Sequence, residues 1–311
     1  MDLGRLTCAL LLTTLATLSA GIAAQPVDNL TIMSFNLWIA ASRVNEGLDK
    51  ALNAIEVAGA DVVAIQESMG AAGKIARQLG WHVYAPGYAS SLAIISRYPI
   101  TKTYPFSYNR AGLGARIKLS DVQEIVLWSV HLSPVPYGPY DACLHGRDTQ
   151  EIIRRQQEAQ LKEFADLLDR AGEALRDSAN TPVFIVGDFN TPSHLDWTLE
   201  TANRHCGYAI EFPVSVAAHD AGLRDAYRIY LPDPLLEPGN TWSPIYANYQ
   251  YPTGKPEPMD RIDFIYFAGA SVTVTQAATF VVREPHPSPS HWNNRWPSDH
   301  AAVLVEVALG R

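Results

Sequence analysis

The 311-residue chain predicts an α/β fold, one domain of two packed mixed β-sheets with helices on their outer faces. Three observations carry that prediction. Short apolar runs rich in β-branched residues recur at residues 30–35, 62–66, 92–96, 125–130, 183–186, 262–267 and 301–307, each with the length and composition of a buried strand. Helical patterns lie between several of them, strands outnumber helices, and no Gly- or Ser-rich linker divides the chain. Polar residues stand at the ends of the runs, some after their strand and some before it, so only strands of both directions can bring them to one edge.

Taken in order, Arg5 is followed by an apolar and small-residue run over 6–18 and then by Gly21-Ile22-Ala23-Ala24. This is the pattern of a cleavable secretory signal over residues 1–24, leaving one domain at 25–311. The run is too short for a bilayer core and has no basic stop-transfer flank, so no membrane anchor is expected. The mature protein is then secreted or periplasmic, and a monomer is expected. Its formal charge of −8 survives processing, because Asp2 and Arg5 cancel. An acidic chain repels phosphate backbones at long range, which disfavours tight non-specific binding of nucleic acid, although a metal-loaded cleft can still accept one. Cys143 and Cys206 are the two cysteines outside the leader; an oxidising compartment favours a disulfide, with two free thiols as the alternative.

The helical patterns cover 44–58 and 149–171. In the second, Ile152, Ile153, Leu161, Phe164, Leu167 and Leu168 share one face while Arg154, Arg155, Lys162, Glu163 and Asp169 take the other. Residues 134–147 and 231–259 are dense in Pro, Gly and Tyr and read as irregular surface loops, the places where substrate specificity would reside.

The chemistry collects at the strand ends. Asn36, Glu67 and His131 each close an apolar run, Asp188 and Asn190 close another, Asp263 lies near the start of its strand, and Asp299 and His300 precede theirs. Any one of these has an ordinary structural use as a turn, a cap or a core histidine. Together they would crowd four carboxylates beside two histidines, which cannot all stay charged without a cation. Carboxylates plus the Asn36 amide form an oxygen-rich set, suited to Mg²⁺, with Mn²⁺ the alternative.

Ser-Phe-Asn36-Leu-Trp, Ile-Gln-Glu67, Ser-Val-His131-Leu, Gly-Asp188-Phe-Asn190, Arg-Ile-Asp263-Phe-Ile and Ser-Asp299-His300 resemble the ordered motifs of the endonuclease/exonuclease/phosphatase superfamily over nearly all the mature chain. The resemblance implies a four-layer α/β sandwich, as in DNase I, with the site at one end. It implies Asn36, Glu67 and Asp299 as metal ligands. Asp188 would activate the attacking water with Asn190, Asp263 would hold His300, and His300 and His131 would support the phosphate oxygens. The function so implied is hydrolysis of a phosphodiester by metal-assisted in-line attack. A phosphomonoesterase acting on a small metabolite and a catalytically silent binding module of the same fold are the alternatives. A glycosidase also pairs carboxylates, but that explains neither Asn190 nor the Asp263/His300 pairing. Tyr137 and Tyr140 are placed to approach the site from the loop after His131. His194 and Asp196 read as caps of a helix beginning near Leu195, with substrate contact the alternative for His194. Tyr246, Tyr249 and Tyr251 read as wrapping the core, with stacking on a base or sugar the alternative.

Overall fold

The computed structural model describes residues 26–87, 90–249 and 254–310; the leader over 1–24 and Tyr251 lie outside them. Two six-stranded mixed sheets face each other. The first holds β1 (Asn29–Asn36), β2 (Val62–Gln66), β3 (His82–Tyr84), β4 (Ala93–Ser96), β11 (Val272–Phe280) and β12 (Ala302–Leu309), in the order β11-β12-β1-β2-β4-β3. The second holds β5 (Ile100–Tyr104), β6 (Gly112–Lys118), β7 (Glu124–His131), β8 (Val183–Asp188), β9 (Arg224–Asp225) and β10 (Asp263–Ala268), in the order β5-β6-β7-β8-β10-β9. β1 runs parallel to β2 and β7 parallel to β8, whereas β12 is antiparallel to β1 and β10 antiparallel to β8. Those two reversals bring residues that precede a strand to the edge where others end one.

The strands alternate strictly between two cores, as a period of two requires. Leu30, Ile32, Val62, Ala64, Phe184, Val186, Ile265, Val303 and Val305 fill the space between the sheets. Met33, Phe35, Val63 and Ile65 point outward from the first sheet and meet α2 (Gly47–Ala58) and α3 (Ala71–Leu79) through Ala51, Ala54, Ile55, Ala72 and Ile75. On the far side, Trp128, Val130, Val183, Ile185 and Phe264 meet α6 (Lys162–Arg176) and α7 (Pro213–Asp220) through Phe164, Leu167, Ala171, Val214 and Ala218. The result is four layers, helix on sheet on sheet on helix.

Several expectations are refined or corrected. The helix foreseen at 44–58 begins at Gly47. The one foreseen at 149–171 is α5 (Thr149–Gln156), capped by Asp148 accepting from the Glu151 amide, continued through a π turn at Gln157–Leu161 into α6. Residues 134–147 are not wholly irregular: they contain α4 (Gly138–Cys143), opened by Pro139 in its first turn. No helix starts at Leu195; residues 194–197 form turns, because Thr201 Oγ1 captures the Asp196 carbonyl and Asp196 itself is spent on Arg228 and Arg261. A further short helix, α8 (Ala226–Tyr230), is capped by Asp225. Cys143 and Cys206 form a disulfide with Cα atoms 5.4 Å apart, tying α4 to a segment 63 residues away. Closing a loop of that length constrains the unfolded chain by on the order of 4 kcal/mol. Among the described residues, no helix is long and apolar enough to cross a membrane.

Gly187 is the position where the close approach of two strands dictates residue type. It has φ +154°, and a Cβ there would fall 2.0 Å from the Val130 carbonyl oxygen on the paired strand. Rigid backbone cannot retreat from that contact. Gly187→Ala is therefore expected to destabilise the fold by about 2–3 kcal/mol. The check is a denaturation midpoint, and a midpoint equal to that of the parent would show that the strands are less tightly apposed than described.

Candidate active site

Strand register builds the first half of the site. Asp188 stands opposite His131 on β7 and opposite Asp263 on β10, so three functional side chains form a row across the end of the second sheet. The first sheet supplies the other half from the end of β1 and from the residues just before β12. Among the polar contacts between the sheets, two join the halves of the site. Asn36 Nδ2 donates to Asp188 Oδ2 at 3.0 Å, and the His300 Nδ1–Asp263 Oδ2 pair closes at 2.9 Å. Ser298 Oγ donates to the Asn36 carbonyl at 2.6 Å, locking the Ser-Asp-His segment against the end of β1.

Asp188 is almost completely buried. Its Oδ1 accepts from the Asn190 backbone N–H at 2.9 Å, and Asn190, at φ +50°, sends its own amide Nδ2 to the Leu132 carbonyl at 2.9 Å. That leaves the Asn190 carbonyl oxygen as its group free of those two bonds. His131 Nε2 and His300 Nε2 approach Asp188 Oδ2 at 3.5 and 3.7 Å. Both distances exceed a good hydrogen bond, so neither ring is committed to Asp188 and both can face a substrate oxygen. Burial, and then the Asp263 charge, push the Asp188 carboxyl above its ordinary range against the pull of the two histidines. His300 goes the other way for a histidine in the interior. Burial opposes its charge, yet Asp263 and Asp188 overcome it and raise the ring to about 10.

Glu67 and Asp299 lie on the other flank of His300. Glu67 follows β2 at φ +52° and is partly exposed. Its Oε2 accepts from the Ile39 N–H at 2.6 Å and its carbonyl from the Ala40 N–H at 2.8 Å. These bonds, with the Trp38 N–H to Asn36 Oδ1 contact at 2.9 Å, hold α1 (Trp38–Ala41) as a left-handed turn in which all four residues have positive φ. Four non-glycine residues in that region cost about 1 kcal/mol or more each. The sequence carries no glycine to announce such a turn; contacts to Asn36 and Glu67 impose it. Asp299 is buried, and burial together with the negative charges of Glu67 and Asp188 pushes it up to about 7, more than the neighbouring His300 offsets.

The donor set can be tested for a cation. Asn36, Glu67 and Asp299 offer only oxygen ligands, and two of them are carboxylates that oppose each other's charge, an imbalance that a hard dication removes. A second trio, Asp188, Asp263 and His300, brings its candidate ligand atoms within 4.8 Å of one another. There the imidazolium already supplies positive charge, with Nδ1 taken by Asp263.

The segment around Thr241 fastens both halves together. Thr241 Oγ1 accepts from the Ile262 and Asp263 N–H groups, its carbonyl accepts from Ala301, and Trp242 bridges to both Asp260 and His300. Thus the middle of the long stretch expected to be irregular is pinned to two motifs at once. Trp242 lies 5.0 Å from the His300 ring and 5.4 Å from Tyr246, which in turn meets Trp38 at 6.1 Å. Tyr246 faces the acidic flank, since burial and then Asp299 push its hydroxyl up to about 12. Trp242 and Tyr246 are half-buried and Trp38 is buried, and together these rings form a wall beside the site, which is the alternative use the sequence offered for Tyr246; Trp242 carried no signal. Tyr137 and Tyr140 are held away from the row. Their hydroxyls donate to Asp260 at 3.4 Å and Glu257 at 2.5 Å, and Tyr249 packs on Tyr140. His194 is turned toward Ser215 on α7, so neither capping a helix nor lining this cleft describes it.

This row of residues in this fold defines a class, and the comparisons agree. The profile of the Endonuclease/Exonuclease/phosphatase family matches residues 33–300, and the chain belongs to that family. It is 31% identical over 296 residues to an uncharacterized Caenorhabditis elegans protein, F14F9.5, covering 91% of this chain and 92% of that one. Among solved structures, D. rerio TDP2 complexed with a single-strand DNA product shares the fold with a TM-score of 0.58 at 18% identity, over 90% of this chain and 99% of that one. The human Nocturnin catalytic domain with bound sulfate gives 0.56 at 15%, over 91% and 95%. The chain is a phosphoric ester hydrolase by family.

The His300–Asp263 pair has a measurable signature. In the metal-free protein the ring should remain protonated through neutral pH and lose its proton near 10. Its stabilising contribution, from a group whose ordinary value is 6.5, is then complete below that value and is lost as pH rises through about 10. Imidazole NMR titration of the parent and of Asp263→Asn reads this directly; an unshifted His300 titration in the variant would refute the pairing.

Proposed function

We propose that this chain is an exported phosphodiesterase that uses a divalent cation, Mg²⁺ first and Mn²⁺ second, to hydrolyse one ester bond by in-line attack of water. The observation that carries it is Asp188, a buried carboxylate held from one side by Asn36 and flanked by two imidazoles to which it is not hydrogen-bonded. Its raised proton affinity suits a general base, because a base tuned upward takes a proton from water more readily. The free carbonyl oxygen of Asn190 lies on the same loop and orients that water. His300, kept charged by Asp263, and His131 face the non-bridging phosphate oxygens and stabilise the charge that builds there. Asn36, Glu67 and Asp299 would hold the dication, which would supply Lewis-acid neutralisation of the charge that builds on the phosphate.

Charge balance favours a diester over a monoester. Glu67, Asp188, Asp263 and Asp299 oppose a monoester dianion more than a diester, against the positive charge of His300 and of the dication. A diester carries a single charge and meets less repulsion. The wall of Trp242 and Tyr246 beside His300 suits an apolar or planar group on the phosphate. Export is supported by the leader pattern and by the Cys143–Cys206 disulfide, a bond that persists in oxidising compartments.

Bis-p-nitrophenyl phosphate, p-nitrophenyl phosphate, plasmid DNA and sphingomyelin assayed side by side, with Mg²⁺ supplied and then chelated, test the reaction class. Cleavage of the diester model well above the monoester, lost on chelation, is the expected result; monoester preference would reverse the assignment. Asp188→Asn should lower turnover by about 10²–10⁴ with an unchanged fold. Near-parental rates in that variant would remove Asp188 from the role of base.

A further inference from the structure

His194 and His219 serve no purpose in the reaction described above. They line a separate cavity of about 300 Å³ with Ser215, Asp225 and Tyr266, and none of Asn36, Glu67, His131, Asp188, Asp263, Asp299 and His300 borders it. Ser215 and His219 lie four residues apart on α7 and so share one face of that helix. The chain leaving Asn190 crosses this face and lays His194 against it.

Hydrogen-bond bookkeeping fixes the state of the His194 ring. Ser215 Oγ donates its one proton to the Phe212 carbonyl at 3.0 Å. It must therefore accept in its other two contacts, from the His194 backbone N–H at 2.8 Å and from His194 Nδ1 at 2.9 Å. In this arrangement the ring carries its proton on Nδ1, and Nε2 keeps its lone pair. A hydrogen-bonded Nδ1–H behind a free Nε2 is the arrangement that orients a metal-ligating histidine. Burial, and then the proximity of His219, lower the proton affinity of His194, so its ring is neutral and able to ligate at neutral pH.

The partner ring is in range. The His194 and His219 centroids are 6.1 Å apart, with planes at 65°. Two imidazoles on a tetrahedral ion, each bound through nitrogen at about 2.1 Å, have centroids roughly 5.3 Å apart, so the exposed His219 ring closes by about 1 Å to share the ion. His219 is exposed, so the ion can enter from solvent and water can complete its shell. The cavity's two arginines are engaged elsewhere: Arg228 binds Asp196 and three backbone carbonyls, and Arg224 donates to the Gly269 carbonyl and lies over Phe267. Glu211, Asp196 and Asp225 add negative charge around His194.

We propose that His194 and His219 form a second, peripheral metal site for an imidazole-preferring dication, Zn²⁺ or Cu²⁺, chemically distinct from the all-oxygen set of the catalytic cleft. An ion there fastens the segment that leaves Asn190 onto α7.

The test titrates Zn²⁺ into chelator-stripped full-length mature protein in excess Mg²⁺, by calorimetry or competition with a chromophoric chelator. One Zn²⁺ per chain should bind with Mg²⁺ present, and His219→Ala should weaken it by about tenfold or more, as should Ser215→Ala through loss of the Nδ1 anchor. His219→Ala should keep the parental rate on bis-p-nitrophenyl phosphate in Mg²⁺. His219 is exposed, so its variant folds whatever the fate of Ser215→Ala; circular dichroism checks both. Cu²⁺ in the parent should show an EPR spectrum with two coordinating nitrogens. Zn²⁺ binding that is unchanged in His219→Ala and is lost in Glu67→Gln, or absent from the parent, would overturn the proposal without touching the catalytic assignment.

Discussion

Two polar contacts across the mouth of the sandwich, Asn36 to Asp188 and His300 to Asp263, are the constraint on which the site depends. Inside the sandwich the sheets meet through aliphatic side chains, which fix separation but tolerate small slides. Directional bonds at the mouth remove that freedom where it matters. Each links a residue of one sheet to a carboxylate of the other, so the spacing between the sheets and the spacing between the candidate site groups become a single quantity.

The rim is where the chain departs from relaxed geometry. Trp38 to Ala41, Glu67 and Asn190 all hold positive φ, and each adjoins a functional residue or is one. Local preference would abolish this backbone, so it survives through bonds made elsewhere: Asn36 and Glu67 hold the turn after β1, and Asp188 and Leu132 hold Asn190. The same side chains that serve chemistry therefore serve as braces. Their removal would be felt by backbone as well as by substrate, which is why conservative changes of charge report on mechanism more cleanly than truncations.

Much of this was legible in the residues. Strand ends could be read because continuous apolar runs stop sharply at polar residues, and the direction of β10 and β12 followed from Asp263 standing at the start of its strand and His300 just ahead of its own. What escaped has identifiable causes. β9 is two residues long, β3 is largely exposed and β5 carries Lys102 among threonines, so none shows an apolar run. The turn at Trp38 has no glycine signal, because long-range bonds rather than local propensity create it. α4 lay concealed in a Pro- and Tyr-rich stretch, where Pro139 in fact opens a helix. The residues after His194 carry a local helix-cap pattern yet form turns, because the Asp196 carboxylate is consumed by two arginines distant in sequence.

That last interaction bears on how Asp263 is aimed. Arg261 is fully buried between Asp196 and Asp225, with Arg228 completing the group. Buried ion pairs of this kind add little net stability over well-packed apolar residues, since desolvation consumes most of the attraction. Their consequence is positional. The guanidinium can satisfy both carboxylates in one place only, and Asp263 follows it by two residues. Thr241 then receives the Ile262 and Asp263 amides, so the strand enters its sheet with one rotation available. A carboxylate that must meet His300 Nδ1 at 2.9 Å cannot be left to a flexible loop. The buried charges therefore exchange stability for orientation, and the orientation is delivered to the residue that keeps the imidazole charged.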